Sequence, residues 1–183
     1  RAMTEGPEAI DILCQEVERR VDEGVGVVEK GAPRILNFVA PFSDPTIMHM
    51  MENAGLATAA TWVTAPTPKA SRPTTYTTIG EIRAEWEMRW GLYHGSYGFI
   101  KGFERAVNAL NIDGVLWGYL FSCRPFALTS HFVKKWLEEE IGVPTLSLEM
   151  DIYDSRTYSV AALRTKVETF AEMLRARKAF AKV

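Results

Sequence analysis

A chain of 183 residues with 47% hydrophobic and 24% charged side chains has the composition of an ordinary globular protein, and it is long enough to bury a core. The formal net charge of −2, without a long basic run, argues against a nucleic-acid-binding surface. No apolar run approaches the roughly 20 residues of a membrane span, and the start has no signal-peptide pattern. Two cysteines are too few for a disulfide framework, so we expect a reduced, cytoplasmic setting.

The N-terminal segment has the pattern of an amphipathic helix. Over residues 8–23 apolar side chains recur at helical spacing, and Gly24 follows as a stop signal. The apolar positions are Ile10, Leu13, Cys14, Val17 and Val21. We predict a connecting helix and linker over residues 1–31, with Cys14 packed in an apolar core. Because Arg1 is not an initiator methionine, we expect the N-terminal part of a longer protein to precede it.

Four apolar runs follow, separated by amphipathic segments. The predicted strands are Ile35–Val39, Leu56–Val63, Val115–Phe121 and Thr145–Leu148. Continuous apolar strands are typical of a parallel sheet that is buried on both faces. Residues 32–183 are therefore predicted to form a C-terminal α/β domain, doubly wound and flavodoxin-like, with a parallel sheet of about four strands flanked by helices.

The helices of this domain are indicated by caps and apolar periodicity. Asp44 and Pro45 signal a helix start, and Gly55 signals its end. Two helices are predicted between residues 79 and 110, one at about residues 128–141 and the last at about residues 159–177. The core face of the last helix is predicted to be Leu163, Val167, Phe170 and Leu174. The segment 64–78, rich in Pro and Thr, is a candidate substrate-facing lid.

Cys123 stands where a parallel sheet gathers its ligands. It follows the third predicted strand, inside the turn that Pro125 forces, and the carboxyl ends of strands are the usual place for sites. A thiolate is a ligand for soft metals, and the neighbouring Arg124 favours a negative charge. One cysteine is too few for a self-contained metal site, and a buried free thiol is the alternative interpretation.

Acidic side chains cluster after the fourth predicted strand, at Glu149, Asp151 and Asp154. Carboxylates in that position often belong to sites in α/β proteins, although they also cap helices and stabilise turns. We hypothesise a site wall beside Cys123. Its members would be Ser122, Arg124, Asp151, Asp154 and Arg156.

Several common enzyme motifs are missing from the chain. There is no Gly-x-Gly-x-x-Gly, Walker loop or Gly-x-Ser-x-Gly, which disfavours nucleotide-dependent dehydrogenases, ATPases and serine hydrolases. His49, His94 and His131 show no metal-ligand spacing. Surface or packing roles are expected for these histidines.

The segment from Asp113 to Met173 carries a distinctive combination of motifs. It contains a strand followed by Ser-Cys-Arg-Pro at 122–125, an Asp-x-x-Asp-x-Arg run at 151–156, Ser159, and Leu-Arg-Thr-Lys-Val-Glu-Thr-Phe at 163–170. In these features the chain resembles the C-terminal region of the 2-hydroxyacyl-CoA dehydratase and benzoyl-CoA reductase family. A weaker match covers residues 34–65, where the absence of a cysteine resembles the second-subunit type.

The resemblance implies a subunit of an anaerobic iron–sulfur enzyme. Cys123 would be a ligand of a 4Fe-4S cluster whose remaining ligands lie outside this chain segment. The implied reaction is radical dehydration of a 2-hydroxyacyl-CoA or reduction of an aromatic acyl-CoA. The implied partners are a second homologous subunit in a heterodimer, an ATP-dependent activator carrying an iron–sulfur cluster, and the acyl-CoA substrate, to whose phosphate Arg124 could bind. Neither nucleic acid nor a membrane is expected as a partner.

Two other hypotheses stay open. The chain could be a cluster-free paralogue that acts as a structural or interface subunit, or a flavodoxin-like binder of a small ligand. Iron content distinguishes the enzyme subunit from the cluster-free paralogue.

Overall fold

The computed structural model describes residues 2–38, 45–61, 78–89, 95–120, 122–151, 154, 156 and 158–180. Contacts divide the chain into two compact units, Arg1–Ala32 and Pro33–Val183. Almost all of the predicted lid, up to Thr77, lies outside the described residues. Within the described part of the chain, no helix has the length and apolar character needed to cross a membrane.

The first unit is built on helix α1 (Ala2–Glu23), which is longer than the predicted helix. Arg19 and Arg20 both donate to the carboxylate of Glu16, at 2.9 and 2.7 Å. These hydrogen bonds, chiefly the one from Arg19, lower the pKa of Glu16 to about 2. Because the pairs are exposed, they support the helix only weakly.

The predicted burial of Cys14 is wrong. Cys14 is exposed. Its apolar neighbours Leu13 and Val17 are also exposed, by 64% and 58%. The reason is that the first unit contains one helix and a short irregular segment, so it has no second element against which an apolar face could be buried.

The second unit is a parallel α/β sheet, as predicted. Its strands are β1 (Arg34–Phe38), β2 (Ala57–Thr61), β3 (Gly114–Leu120) and β4 (Thr145–Met150). They lie in the order β2-β1-β3-β4, and all three neighbouring pairs are parallel. β4 is longer than expected because its last residues pair with β3, where Tyr119 lies opposite Glu149.

The helices of this unit are α2 (Pro45–Asn53), α3 (Ile79–Arg89), α4 (Gly95–Leu110), α5 (Arg124–Trp136) and α6 (Val160–Phe180). Helices α2 and α6 cover one face of the sheet, and α4 and α5 cover the other. A π-helical turn, Leu137–Ile141, extends α5 and ends at Gly142, whose φ is +76°. The short α2 ends at Gly55, where φ is +68°, as the predicted stop signal requires.

Two apolar cores result, one on each face of the sheet. Alternate residues of the strands face opposite sides, so Leu116 packs with α2 and α6, while Val115 and Trp117 pack with α4 and α5. The predicted core face of α6 is confirmed. Its exposed fractions are 4% for Leu163, 1% for Val167, 6% for Phe170 and 1% for Leu174.

Replacing Phe170 by alanine tests this packing. Phe170→Ala should lower the free energy of unfolding by about 3–5 kcal/mol, because it removes a buried ring and leaves a cavity under the sheet. Glu168→Ala, at an exposed position of the same helix, should change it by less than about 0.5 kcal/mol. Chemical denaturation of the two variants measures both. A cost below about 1 kcal/mol for Phe170→Ala would show that α6 is peripheral to the core.

Candidate functional site

The strand order reverses between β1 and β3. After β1 the chain crosses to β2 on one side, and β3 then returns to pair with β1 on the other. The carboxyl ends of β1 and β3 therefore form a topological switch point, where open α/β sheets bind their ligands. Residues at the ends of these two strands are the first candidates for a site.

Cys123 lies at this switch point. Its backbone N–H donates to Leu120 O at 3.0 Å, which closes a turn directly after β3, and its carbonyl accepts from Ala127 N at 2.9 Å, which starts α5. Helix α5 begins before the predicted position because of this second bond. The thiol makes no capping hydrogen bond and is partly exposed. The sulfur is thus available to a ligand, and Cys123 is not the fully buried thiol of the alternative interpretation.

An aromatic layer lies under the first turn of α5. Phe38, near the end of β1, stacks on Trp117 of β3 with ring centroids 4.1 Å apart. Phe126, three residues after Cys123, packs against the same Phe38 ring at 5.7 Å. These rings form an apolar layer between the sheet and the first turn of α5, next to Cys123.

A tyrosine–carboxylate pair joins the ends of β3 and β4. Tyr119 Oη donates to Glu149 Oε2 at 3.2 Å. Partial burial raises the pKa of Tyr119, and the hydrogen bond and negative charge of Glu149 raise it further. Sequence reasoning included Glu149 but missed Tyr119, because only the strand register brings the two side chains opposite each other.

The other predicted wall residues separate into two groups. Ser122 and Arg124 are exposed beside Cys123 at the start of α5. Asp154 and Arg156 instead bind each other, with Arg156 Nε and Nη2 donating to Asp154 at 2.8 and 2.7 Å, and this pair lowers the pKa of Asp154. Asp151 is half-buried directly after β4. Asp154 and Arg156 therefore form a local turn pair, as the turn alternative anticipated.

Asn37 was not identified from the sequence. It lies one residue before the end of β1, is 5% exposed, and its Oδ1 accepts no hydrogen bond in the described structure. Its Nδ2 donates to Met51 Sδ at 3.8 Å. A buried amide oxygen without a donor costs about 1–3 kcal/mol, which marks Asn37 as a candidate for contact with a ligand. The signal in the sequence is one polar residue inside an apolar strand.

The described residues contain no group of three or more His, Cys, Asp and Glu side chains placed to hold a metal ion. His49 is exposed and contacts Glu52 at 3.2 Å, and His131 is exposed beside Phe132. His94 lies outside the described residues. Among the described residues of the second unit, Cys123 is the one cysteine.

Comparison with known proteins identifies the family. The family described as 2-hydroxyglutaryl-CoA dehydratase, D-component, matches residues 3–174. The chain belongs to this family, and the resemblance inferred from residues 113–173 is confirmed.

Two curated relatives are similar to the chain over different lengths. The chain is 22% identical to the alpha subunit of (R)-2-hydroxyglutaryl-CoA dehydratase from Acidaminococcus fermentans, over 96% of the chain and 36% of the relative. It is 25% identical to the B subunit of benzoyl-CoA reductase from Thauera aromatica, over 41% of the chain and 17% of the relative. The chain therefore matches about a third or less of the length of these relatives. One relative is an alpha and the other a B subunit, so the second-subunit assignment stays a prediction.

The Tyr119–Glu149 pair generates a testable prediction. Glu149→Gln should lower the pKa of Tyr119 toward its ordinary value, because a negative charge is removed, while burial should keep it somewhat raised. NMR titration of carbon-labelled tyrosines measures this, with Tyr119→Phe to assign the signal and Glu168→Gln as the control. An unchanged Tyr119 titration would show that the contact does not form in solution.

The same shift has a consequence for stability. The folded-state pKa of Tyr119 is raised, so the stability it contributes is complete below the ordinary tyrosine pKa. That contribution is lost as the pH rises through the folded-state value.

Proposed function

We propose that this chain is part of one subunit of an iron–sulfur acyl-CoA enzyme, and that Cys123 is a ligand of its 4Fe-4S cluster. The observation that carries the proposal is the position of a partly exposed thiol, unused in capping, at the switch point of the sheet. Family membership supports the enzyme class. The reaction would be dehydration of a 2-hydroxyacyl-CoA or reduction of an aromatic acyl-CoA, the two chemistries named in the relatives.

The residues of the chain can supply one ligand of such a cluster. Iron–sulfur clusters are held by thiolates, and Cys123 offers one at the sheet edge. The other cysteine, Cys14, is exposed on α1 in the first unit. We assign Cys14 no ligand role, so the remaining ligands of the cluster would come from parts of the enzyme outside this chain segment.

When bound, the cluster would supply single electrons at low potential to the thioester substrate. The contributions of the chain itself are positional and electrostatic. Cys123 is the residue that precedes the first turn of α5, and its side chain makes no capping hydrogen bond, so the helix leaves the sulfur unused. The aromatic layer of Phe38, Trp117 and Phe126 keeps water away from the inner side of the site.

Polar groups at the ends of β1 and β3 would orient the substrate. Asn37 Oδ1 is a buried acceptor without a donor, so it fits a substrate N–H or O–H group. Tyr119 is a protonated phenol at neutral pH, as tyrosine ordinarily is, and its raised pKa widens the pH range over which it can donate a hydrogen bond. Exposed Arg124 carries a positive charge at the sheet edge and would attract the phosphates of CoA.

The proposed enzyme needs partners. Both relatives are named as subunits of larger enzymes, which supports a second, homologous subunit for this chain. An ATP-dependent activator with its own iron–sulfur cluster would deliver the electron, and the acyl-CoA would bind where the subunits meet. A cytoplasmic location remains an expectation.

Replacement of the two cysteines tests the proposal. In the intact enzyme, prepared without oxygen, Cys123→Ser should lose most of its iron and sulfide together with the visible absorption of the cluster, because a hydroxyl is a poor substitute for a soft thiolate. Cys14→Ser is the matched control and should keep wild-type iron content, since its thiol is exposed on α1. Iron and sulfide analysis and the absorption spectrum give the readout.

Two outcomes would contradict the ligand assignment. One is a Cys123→Ser enzyme with full iron content and full activity. The other is a wild-type enzyme that contains no iron although it is intact and folded, which would favour the cluster-free structural role. In either case Cys123 is an ordinary thiol at a strand end.

A further inference from the structure

In the part of the chain that the structure describes, no strand pairs with the outer side of β4. β4 is the last strand in the order of the sheet, and Val115 N of β3 donates to Pro144 O at 2.9 Å. Thr145 N points the other way, because it donates to Glu138 Oε1 at 3.1 Å. Backbone groups alternate along a strand, so the N–H and C=O of Ser147 also face away from β3, and no described residue pairs with them.

A groove of about 400 Å³ runs along the first half of this edge. Its floor is formed by the start of β4, one wall by the end of α5 and the π-helical turn, and the other wall by α6. The lining residues are Lys134, Glu138, Pro144, Thr145, Leu146, Thr165, Lys166, Thr169, Phe170 and Met173. Since helices border it on both sides, the strand edge is recessed between the two helix layers.

We infer that this groove binds an extended segment of the partner polypeptide, which adds to β4 as a fifth strand. The inference rests on the proposed function, which supplies the partner. Unpaired backbone groups on a strand edge are a template for another strand, and the next strand would lie about 4.8 Å away, between the helix layers. A second copy of this chain fits less well, because its own helices would border its β4 edge and collide with these walls.

The side chains of the groove specify the segment. Leu146 and Met173, the latter 39% exposed, offer an apolar surface to alternate side chains of the added strand. Lys134 and Lys166 stand on opposite walls. Lys134 lies 3.8 Å from Glu138, and no described residue forms an ion pair with Lys166. The segment is therefore apolar at alternate positions and carries a carboxylate next to Lys166.

Proline at position 147 tests the inference. Ser147 N–H is not needed for pairing with β3, so Ser147→Pro should leave the sheet folded, while it removes a donor and blocks an incoming strand. In the assembled enzyme this change should weaken the association of the two subunits by about tenfold or more, whereas Ser147→Ala should not. Sedimentation velocity measures association, and the unfolding midpoint checks the fold.

Hydrogen exchange gives an independent readout. The β4 amides of the wild-type chain should exchange more slowly in the assembled enzyme than in the separated subunit.

If Ser147→Pro does not fold, Met173→Glu replaces it, because this side chain is partly exposed in the groove and a new carboxylate there would repel an acidic segment.

The outcomes separate this inference from the proposed function. Unchanged association of a folded Ser147→Pro variant, with equally fast β4 exchange in both states, overturns strand addition even when Cys123-dependent iron is retained. Self-association through β4, lost in Ser147→Pro, also overturns it, because a second copy would then be the occupant. An enzyme without any partner subunit overturns strand addition together with the two-subunit part of the proposed function.

Discussion

The close approach of α6 to β3 is the constraint on which the second unit depends. A Cβ placed on Gly114 would lie 2.8 Å from Leu174 Cδ1 and 2.9 Å from Phe170 Cζ, so a larger residue there would displace these two buried side chains of α6. β3 is also the strand on which β1 and β4 align. Because Leu116 and Trp117 are buried on its opposite faces, any shift of β3 would disturb both cores and the turn that holds Cys123.

The chemistry at the switch point follows from this fixed strand. A parallel sheet with covered faces leaves its carboxyl edge as the place where polar side chains meet solvent. Here that edge combines a partly exposed thiol, the buried amide oxygen of Asn37, and the Tyr119–Glu149 pair. Such a combination suits a site that holds a soft metal ligand on one side and orients a polar substrate on the other. The groove that we infer as a docking surface lies beside the start of β4, whereas these polar groups lie at the carboxyl ends of the strands.

Local patterns account for what could be predicted from the sequence. The strands and the core face of α6 could be predicted from the spacing of apolar side chains and from the residues that end each element. This works because burial of one face is a local property of a strand or helix. Cys123 was placed correctly because the turn after β3 begins at a strand end and contains Pro125. Cys14 was placed wrongly, since periodicity indicates an apolar face but not a partner that covers it. Tyr119–Glu149 and the β4 groove depend on strand register and helix packing, which a single sequence does not encode at any fixed spacing.

Direct observation of the bond between residue 123 and iron is the sharpest test of the account. Selenocysteine introduced in place of Cys123 in the intact, anaerobically prepared enzyme would give this one position its own X-ray absorption edge, because selenium absorbs at a different energy from sulfur. If Cys123 is a cluster ligand, the selenium spectrum should contain a scattering shell from iron in addition to the shell from carbon. A spectrum with carbon as the sole neighbour, in an enzyme that holds its full complement of iron, would contradict the account.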